Sequence, residues 1–425
     1  VKECSHSLSF SQLGRRATEP VITDLMHRAL DNAELLSLAA GFTDNITLPV
    51  ELVQCAVNRM GSELREPDYL QYGTNRGRAG LLIEVANWLN ASRGEVASER
   101  FSPESVFISN GSQQALYLAM QSLCDAGDIV LVQQPTYFVF LELCRGLGIR
   151  PVSLPALPDG GTDFSRLPDF FLKLKREYGA ERIKAFYLNS YFGNPSSRSV
   201  PVEEKRALGR ALIDHAVSVP VIEDAAYREL WFSQPYPAPS IFSLPEFEHL
   251  PRLYLGTFTK PFATGLKVGY GVCSHPQWLE RMLWLKGHQD FGTSNFNQAI
   301  IEDVMAAGEY PGHLERVRAN YREKARLMGE ALEGSTLRER GWSWQQPEGG
   351  LYYWLRAPEG MDLSMGSAFC EACLANGVLY VPGDLCVAEG EPKNFARLSF
   401  GALAREKLTE ATGRFTAVAE SGCRE

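Results

Sequence analysis

The segment Gly256-Thr257-Phe258-Thr259-Lys260 sets a lysine just after the apolar run Leu253–Leu255, beside two hydroxyls and ahead of a second cation in Gly265-Leu266-Lys267-Val268-Gly269-Tyr270. A lone loop lysine is ordinarily solvated, because its charge is costly to bury. A lysine ringed by hydroxyls at the end of an apolar run is less easily read that way. In Val221-Ile222-Glu223-Asp224-Ala225-Ala226-Tyr227 an acid closes an apolar run and a tyrosine follows three residues later. On its own this pattern is as well explained by a carboxylate capping the next helix. Ile108-Ser109-Asn110-Gly111-Ser112-Gln113-Gln114-Ala115-Leu116 reads as a strand, a glycine turn and a helix start. The free N–H groups of a helix start hold anions. Tyr191-Phe192-Gly193-Asn194-Pro195-Ser196-Ser197 follows a further apolar run. An amine, a carboxylate, an anion cradle and a polar turn can act together only if the fold brings them to one place.

The elements that would do so alternate between residues 76 and 275. Ser105–Ile108, Asp128–Val132, Ala185–Leu188, Val219–Ile222 and Leu253–Leu255 are short, rich in β-branched or aromatic residues and bounded by Gly, Pro or Asn, so they read as strands buried on both faces. Gln113–Leu123, Phe138–Gly146 and Val202–Val217 read as the helices between them, the last opened by Pro201 with Glu203 and Glu204 in its first turn. Such alternation predicts an α/β fold with a mostly parallel sheet flanked by helices. Ligands of such sheets sit beyond the carboxyl ends of the strands, where the candidate segments fall. After residue 290 come a long charged helix over 312–333, Gly350–Leu355, a helix near 364–376, Gly377–Val381, Ala396–Phe400 and a final helix from about Ala404. These predict a smaller α+β unit, with which the start of the chain is expected to pack.

Composition excludes several function classes. At about 150 residues per domain, 425 residues suggest two to three domains. The net charge of −9 offers no cationic surface for a nucleic-acid backbone. An apolar fraction of 45%, with 22 Phe, 16 Tyr and 7 Trp, furnishes a core rather than a disordered chain. No apolar run approaches the ~18 residues needed to span a bilayer, and Val1–His6 shows no apolar leader. The nine cysteines, among them Cys4 and Cys423, are odd in number and scattered, which suits reduced thiols in a cytoplasmic protein. Cys370-Glu371-Ala372-Cys373 has no second ligand pair for zinc and no thioredoxin-like context, so it reads as two small residues on one helix face. The seven histidines show no metal spacing, and no metal is expected.

Taken together, the segments resemble the class I/II aminotransferases, fold-type-I pyridoxal-phosphate-dependent enzymes, whose motifs appear in order over nearly the whole chain. Tyr72-Gly73-Thr74-Asn75-Arg76-Gly77 is similar to the family's Tyr–Gly motif, and Asn110–Leu116 to its phosphate cup. Gly127–Tyr137, Asn194-Pro195 and Asp224-Ala225-Ala226-Tyr227 are similar to its strand-and-tyrosine segment, Asn–Pro turn and Asp-x-x-Tyr motif. Gly256–Lys260 with Gly265–Tyr270 is similar to its lysine loop, and Arg397-Leu398-Ser399-Phe400-Gly401 to its arginine motif. The resemblance implies a seven-stranded-type sheet with a smaller α+β domain, pyridoxal 5'-phosphate as cofactor, and a homodimer with shared active sites. It implies that Lys260 holds the cofactor aldehyde as a Schiff base and then moves a proton at the substrate α-carbon. It places Asp224 on the pyridine nitrogen, Tyr227 and Asn194 on the ring's phenolic oxygen, and Tyr137 on the ring face. Ser112, Gln113, Thr257, Thr259 and Lys267 are assigned to the phosphate, with Tyr72 reaching it from a second subunit. Arg397 is assigned to the substrate carboxylate, beside Asn194, and Gly41 to the substrate side, where a glycine permits close approach.

The family's motif order also divides the chain: residues 56–305 as a large cofactor domain, and 1–55 with 306–425 as a discontinuous small one. Four positions depart from the family's usual pattern: Lys267 stands for Arg, Asn194-Pro195-Ser196-Ser197 for Asn-Pro-Thr-Gly, Asn189-Ser190 lacks the usual Pro, and Leu81-Leu82 stands for Leu-Arg. The first reading is therefore an aminotransferase acting on an L-amino acid and a 2-oxo acid. The alternative is an enzyme of specialised metabolism that diverts the carbanion to β- or γ-elimination, replacement, cyclisation of an S-adenosylmethionine-like substrate, or oxidation. A regulator's sensor domain is the reading from another class, disfavoured because Gly41 and Tyr72 already lie in catalytic-domain motifs. Arg76 and Arg78 are expected to face solvent.

Overall fold

The computed structural model describes residues 9–21, 34–62, 67–91 and 101–422. Val1–His6, Cys4 and Cys423 lie outside them. The chain enters a short strand β1 (Leu36–Ser37) and the helix Val50–Ser62 before building its main sheet. That sheet comprises β2 (Val106–Asn110), β3 (Ile129–Val132), β4 (Arg150–Ser153), β5 (Ile183–Asn189), β6 (Val221–Asp224), β7 (Arg252–Thr257) and β8 (Val268–Cys273). Their order is β2-β8-β7-β6-β5-β3-β4, and only the pairings of β8 are antiparallel. All strands except β8 therefore point the same way, and six carboxyl ends open on one edge: Asn110, Val132, Ser153, Asn189, Asp224 and Thr257.

The strand sequences explain the sheet's depth. Along β2, Val106 and Ile108 enter one core cluster and Phe107 the other. Ile129/Leu131 and Val130/Val132 of β3 divide in the same way. Alternate side chains point to opposite faces, so a run apolar at every position suits a sheet covered on both sides. The helices Gly111–Leu123, Phe138–Leu147 and Pro276–Gln289 cover one face. The second helix ends where Gly148 turns left-handed, φ +82°.

A four-stranded antiparallel sheet follows, β9 (Ser343–Trp344), β10 (Tyr352–Arg356), β12 (Val381–Pro382) and β13 (Phe395–Ser399), in the order β12-β13-β10-β9. Strand β11 (Val378–Leu379) pairs in parallel with β1, which ties residues near the start of the chain to this unit. The helices Tyr310–Glu333 and Arg405–Ser421 pack with it. The expected boundary at 55/56 falls inside the unbroken helix Val50–Ser62. Cys370 and Cys373 share the helix Ala368–Ala375, with both thiols in the core. Arg78 differs from the solvated expectation: it pairs with Glu302 at 3.0 Å and donates to Asn295, because the helix Asn295–Ala306 packs against the helix Ala79–Ala91 that Arg78 precedes. No helix among the described residues is long and apolar enough to cross a membrane.

Candidate active site

Three charged groups meet at the carboxyl edge of the main sheet. Lys260 follows β7 by three residues, and its Nζ donates to the Gly41 carbonyl at 2.6 Å. Burial, reinforced by repulsion from Lys267 and Arg397, lowers its pKa to about 8. Asp224 ends β6. Its carboxylate accepts from the Tyr187 hydroxyl at 2.7 Å and from the Ala226 N–H at 3.0 Å. Burial raises its pKa against those two donors, and among the described residues no cation pairs with it. A carboxylate 4% exposed and unpaired is one that a bound cation would stabilise.

Arg397, on β13, is 1% exposed. It donates to Asn194 Oδ1 at 2.9 Å and to the Ala39 carbonyl at 2.5 Å, and its guanidinium lies 4.3 Å from the centre of the Tyr352 ring and 5.4 Å from that of Phe138. Its Nε has no hydrogen-bond partner, and no carboxylate among the described residues pairs with it. A buried guanidinium without a counter-ion is costly, so the pocket is suited to receive an anion in the Arg397 fork. The 39–44 segment that meets both Lys260 and Arg397 is pinned from behind. Ser399 N–H donates to Leu38 O at 2.7 Å, and Asp44 accepts from Lys324 at 2.8 Å.

The turn after β2 forms the second half of the site. Gly111 is left-handed at φ +67°, and the helix begins there, so the first N–H groups are free of intrahelical partners. On the neighbouring strand, a Cβ at Gly269 would lie 2.5 Å from Gly111 C and 2.6 Å from Ser112 N, so the two backbones meet only because residue 269 is glycine. Thr259 N–H donates to Thr257 Oγ1 at 3.0 Å, while Thr259 Oγ1 and Gln113 Oε1 are buried without hydrogen-bond partners among the described residues. Free helix N–H groups and an orphaned hydroxyl make a fitting cradle for a phosphate. Asp290 braces the turn from outside, accepting from Asn110 and Gln114, each at 2.8 Å. Lys267 is exposed, in a left-handed turn at φ +56°.

The structure thus brings Lys260, Asp224, Tyr227, Tyr137, Asn194, Arg397 and Gly41 to one edge, with Ser112, Gln113, Thr257 and Thr259 beside them. Tyr72 stands apart: it is 80% exposed and meets Phe291 edge-on at 5.6 Å. A buried amine of lowered pKa, a buried acid that no cation among the described residues pairs with, and a turn suited to a phosphate together fit pyridoxal 5'-phosphate. Sequence reasoning missed Tyr187, which orients Asp224, and Tyr352, whose hydroxyl lies 2.9 Å from that of Tyr227. It also missed the pair behind the acid. Glu223 accepts from Lys205 Nζ and Ser190 Oγ at 2.9 and 2.7 Å, which locks the helix Val202–Asp214 to β6. Burial alone would push this carboxyl up; Lys205 and the hydroxyls of Ser190 and Ser240 outweigh it and hold it below its ordinary value.

A family model described as aminotransferase class I and II matches residues 34–415. The chain is 32% identical over 415 residues to 2-aminoadipate transaminase of Thermus thermophilus, with 97% of each chain covered. It is 30% identical to aromatic-amino-acid aminotransferase 1 of Thermococcus litoralis, covering 95% of this chain and 91% of that one. Among solved structures, kynurenine aminotransferase of Pyrococcus horikoshii, in complex with PMP, matches with a TM-score of 0.86 at 27% identity over 98% of both chains.

Proposed function

Because the chain belongs to the class I and II aminotransferase family, we propose that Lys260 is the residue that holds pyridoxal 5'-phosphate and moves the proton at the substrate α-carbon. The protein is a pyridoxal-phosphate-dependent aminotransferase, passing an amino group between an L-amino acid and a 2-oxo acid. The cofactor, when bound, supplies an aldehyde to take the amino group and a ring to accept the electron pair left at the α-carbon. What carries the residue assignment is the meeting of a lysine with a depressed pKa, a buried acid and a buried arginine, neither of which has an oppositely charged partner among the described residues.

In this reading Asp224, held by Tyr187, keeps a pyridine nitrogen protonated. Tyr227 and Asn194 serve the ring's phenolic oxygen and Tyr137 its face. Ser112, Gln113, Thr257 and Thr259 hold the phosphate, with the exposed Lys267 as a screened charge nearby. Arg397 takes the α-carboxylate, with Asn194 orienting the fork and Gly41 leaving room on the substrate side. Lys260, with its pKa near 8, exists in part as the free amine at neutral pH, so it can take a proton and return it. The rings of Phe138 and Tyr352 face the Arg397 guanidinium. They support donors with apolar or aromatic side chains, and relatives are named for aromatic amino acids, kynurenine and 2-aminoadipate.

The same reading includes a homodimer in which Tyr72 serves the partner's phosphate, supported by its exposed pairing with Phe291. It includes a cytoplasmic setting, supported by the buried, unbridged thiols of Cys144, Cys273 and Cys386. It also includes a large domain over 50–305 and a small one from 1–49 and 306–425, the boundary expected at 55/56 moving to Pro49 so that the helix Val50–Ser62 stays whole.

The test is a half-reaction followed by spectrum. Phenylalanine, leucine, 2-aminoadipate and aspartate are each mixed with the holoenzyme. Conversion of the cofactor to its amine form with one equivalent of 2-oxo acid is expected, fastest with phenylalanine. Borohydride reduction followed by peptide mass analysis should place the cofactor on Lys260, and Lys260→Ala should abolish both signals. Release of ammonia without the amine form of the cofactor would overturn the assignment.

A further inference from the structure

Beyond its ring against Arg397, Tyr352 has no part in these assignments, yet it meets three of the residues they use. It lies on β10, in the small sheet, and reaches across to the main sheet's edge. Its hydroxyl is 2.9 Å from that of Tyr227. Its ring faces the Arg397 guanidinium at 4.3 Å. A Cβ on Gly41 would stand 3.1 Å from its oxygen and 4.0 Å from Lys260 Nζ. We propose that Tyr352 is a positioning residue that ties the Tyr227 hydroxyl to the Arg397 guanidinium, setting the cofactor-side hydrogen bond and the carboxylate fork in one geometry. The inference rests on the reading of Tyr227 toward the ring oxygen and of Arg397 toward the substrate.

The polarity of the hydroxyl pair follows from proton counting. Each phenol carries one proton to donate and lone pairs to accept. If Tyr227 donated to Tyr352, it would have no proton left for a ring oxygen. With Tyr352 donating, the Tyr227 proton is free, and a hydroxyl that accepts one hydrogen bond donates the next more strongly. Burial, and then the neighbouring Tyr352, push the Tyr227 phenol well up, so it stays a neutral donor. The ring of Tyr352 meanwhile gives the buried Arg397 a π face where its Nε lacks a partner. Glycine at 41 leaves the phenol its place, since an added methyl would press on the Tyr352 oxygen. The titratable groups facing this phenol are Tyr227 after β6, Tyr137 after β3, Arg397 on β13, Tyr321 on the helix Tyr310–Glu333, and Lys260 across Gly41.

The experiment compares holoenzymes: wild type, Tyr227→Phe, Tyr352→Phe, Tyr352→Leu, Gly41→Ala and Gly41→Ala/Tyr352→Phe. The readouts are the pH midpoint of the bound cofactor's visible band, the kcat and KM values, and the Kd for 3-phenylpropionate. Tyr352→Phe loses the hydroxyl but keeps the ring. Its midpoint should rise by about half to one pH unit, in the direction of Tyr227→Phe but less, with the Kd for 3-phenylpropionate within about twofold of wild type. Tyr352→Leu should in addition weaken 3-phenylpropionate by about three- to tenfold. Gly41→Ala should raise the midpoint on its own and add nothing to Tyr352→Phe. A midpoint moved by Tyr227→Phe and unmoved by Tyr352→Phe overturns the tie, and Tyr352 is then packing alone. If Tyr227→Phe is also silent, the reading of Tyr227 falls, and the tie with it.

Discussion

Lys260 shows how a common side chain becomes a reagent. In water its ammonium would hold its proton to a pH near 10.5; burial first, then Lys267 and Arg397, bring that to about 8. Only the free amine attacks an aldehyde, and its fraction grows as pH rises. Capture of pyridoxal 5'-phosphate by cofactor-free protein should therefore climb with pH and reach half its maximal rate near 8. Stopped-flow absorbance from pH 6 to 10.5 checks this, and a midpoint near 10.5 would mean a solvated amine. Removing the charge at Arg397 should move the midpoint up by less than burial moved it down, because repulsion is the smaller cause. Lys260 and Asp224 stood out in the sequence because one follows and the other closes an apolar run, whereas Arg397 lies inside one and only the family-like motif singled it out. Tyr187 and Tyr352 were not legible, because a tyrosine inside an apolar run looks like core. Tyr187 acquires its role only when β5 and β6 lie side by side, and Tyr352 only when β10 faces the main sheet's edge.

Of the seven strands of the main sheet, those easiest to read are the ones whose ends carry the site's side chains: Asp224 closes β6 and Lys260 follows β7. The buried runs of β3, β5, β6 and β7 stood out in the sequence, whereas β4 and β8 did not. Arg150-Pro151-Val152-Ser153 contains a proline, which a strand tolerates at a sheet edge, and β4 is the edge. Val268-Gly269-Tyr270-Gly271-Val272-Cys273 has glycine at alternate positions, which weakens the strand signal. Those glycines are there for fit. Gly269 admits the Gly111–Ser112 backbone, and Gly271 admits the Phe107 ring, where a Cβ would lie 2.4 Å from a ring carbon. An alanine at either position overpacks the core by about 1–3 kcal/mol, so both should lower the thermal midpoint. Only Gly269→Ala moves the helix start proposed to hold the phosphate. It should weaken pyridoxal 5'-phosphate by roughly tenfold or more, while Gly271→Ala stays within about threefold. Fluorescence titration of the cofactor-free variants separates the two. Equal affinities would remove the turn from the cofactor site.

At the scale of the whole molecule, one chain leaves its proposed phosphate contact in solvent. Tyr72 is 80% exposed, its ring edge-on to Phe291, itself 63% exposed, and Leu70 beside it is 69% exposed. Adjacent exposed apolar residues mark an interaction surface, and a two-fold pair of chains would bury both copies of this one. If the partner's phosphate is what Tyr72 meets, each site needs Lys260 from one chain and Tyr72 from the other. Tyr72→Phe loses a hydrogen bond to a charged group, about 1.5–3 kcal/mol, so activity at low cofactor concentration should fall about 10- to 150-fold. Lys260→Ala should have none. When the two variants are unfolded together, mixed in equal amounts and refolded, about half of the dimers pair one of each, and every such dimer has one intact site. The mixture should then recover about a quarter of wild-type activity, although neither parent approaches it. When both substitutions are carried on the same chain and mixed with wild type, about a quarter of wild-type activity is expected from shared sites, against about a half if each chain completes its own. A mixture of the two single variants no more active than the mean of its parents would show that each chain completes its own site, and would leave the exposed Tyr72 as a surface residue.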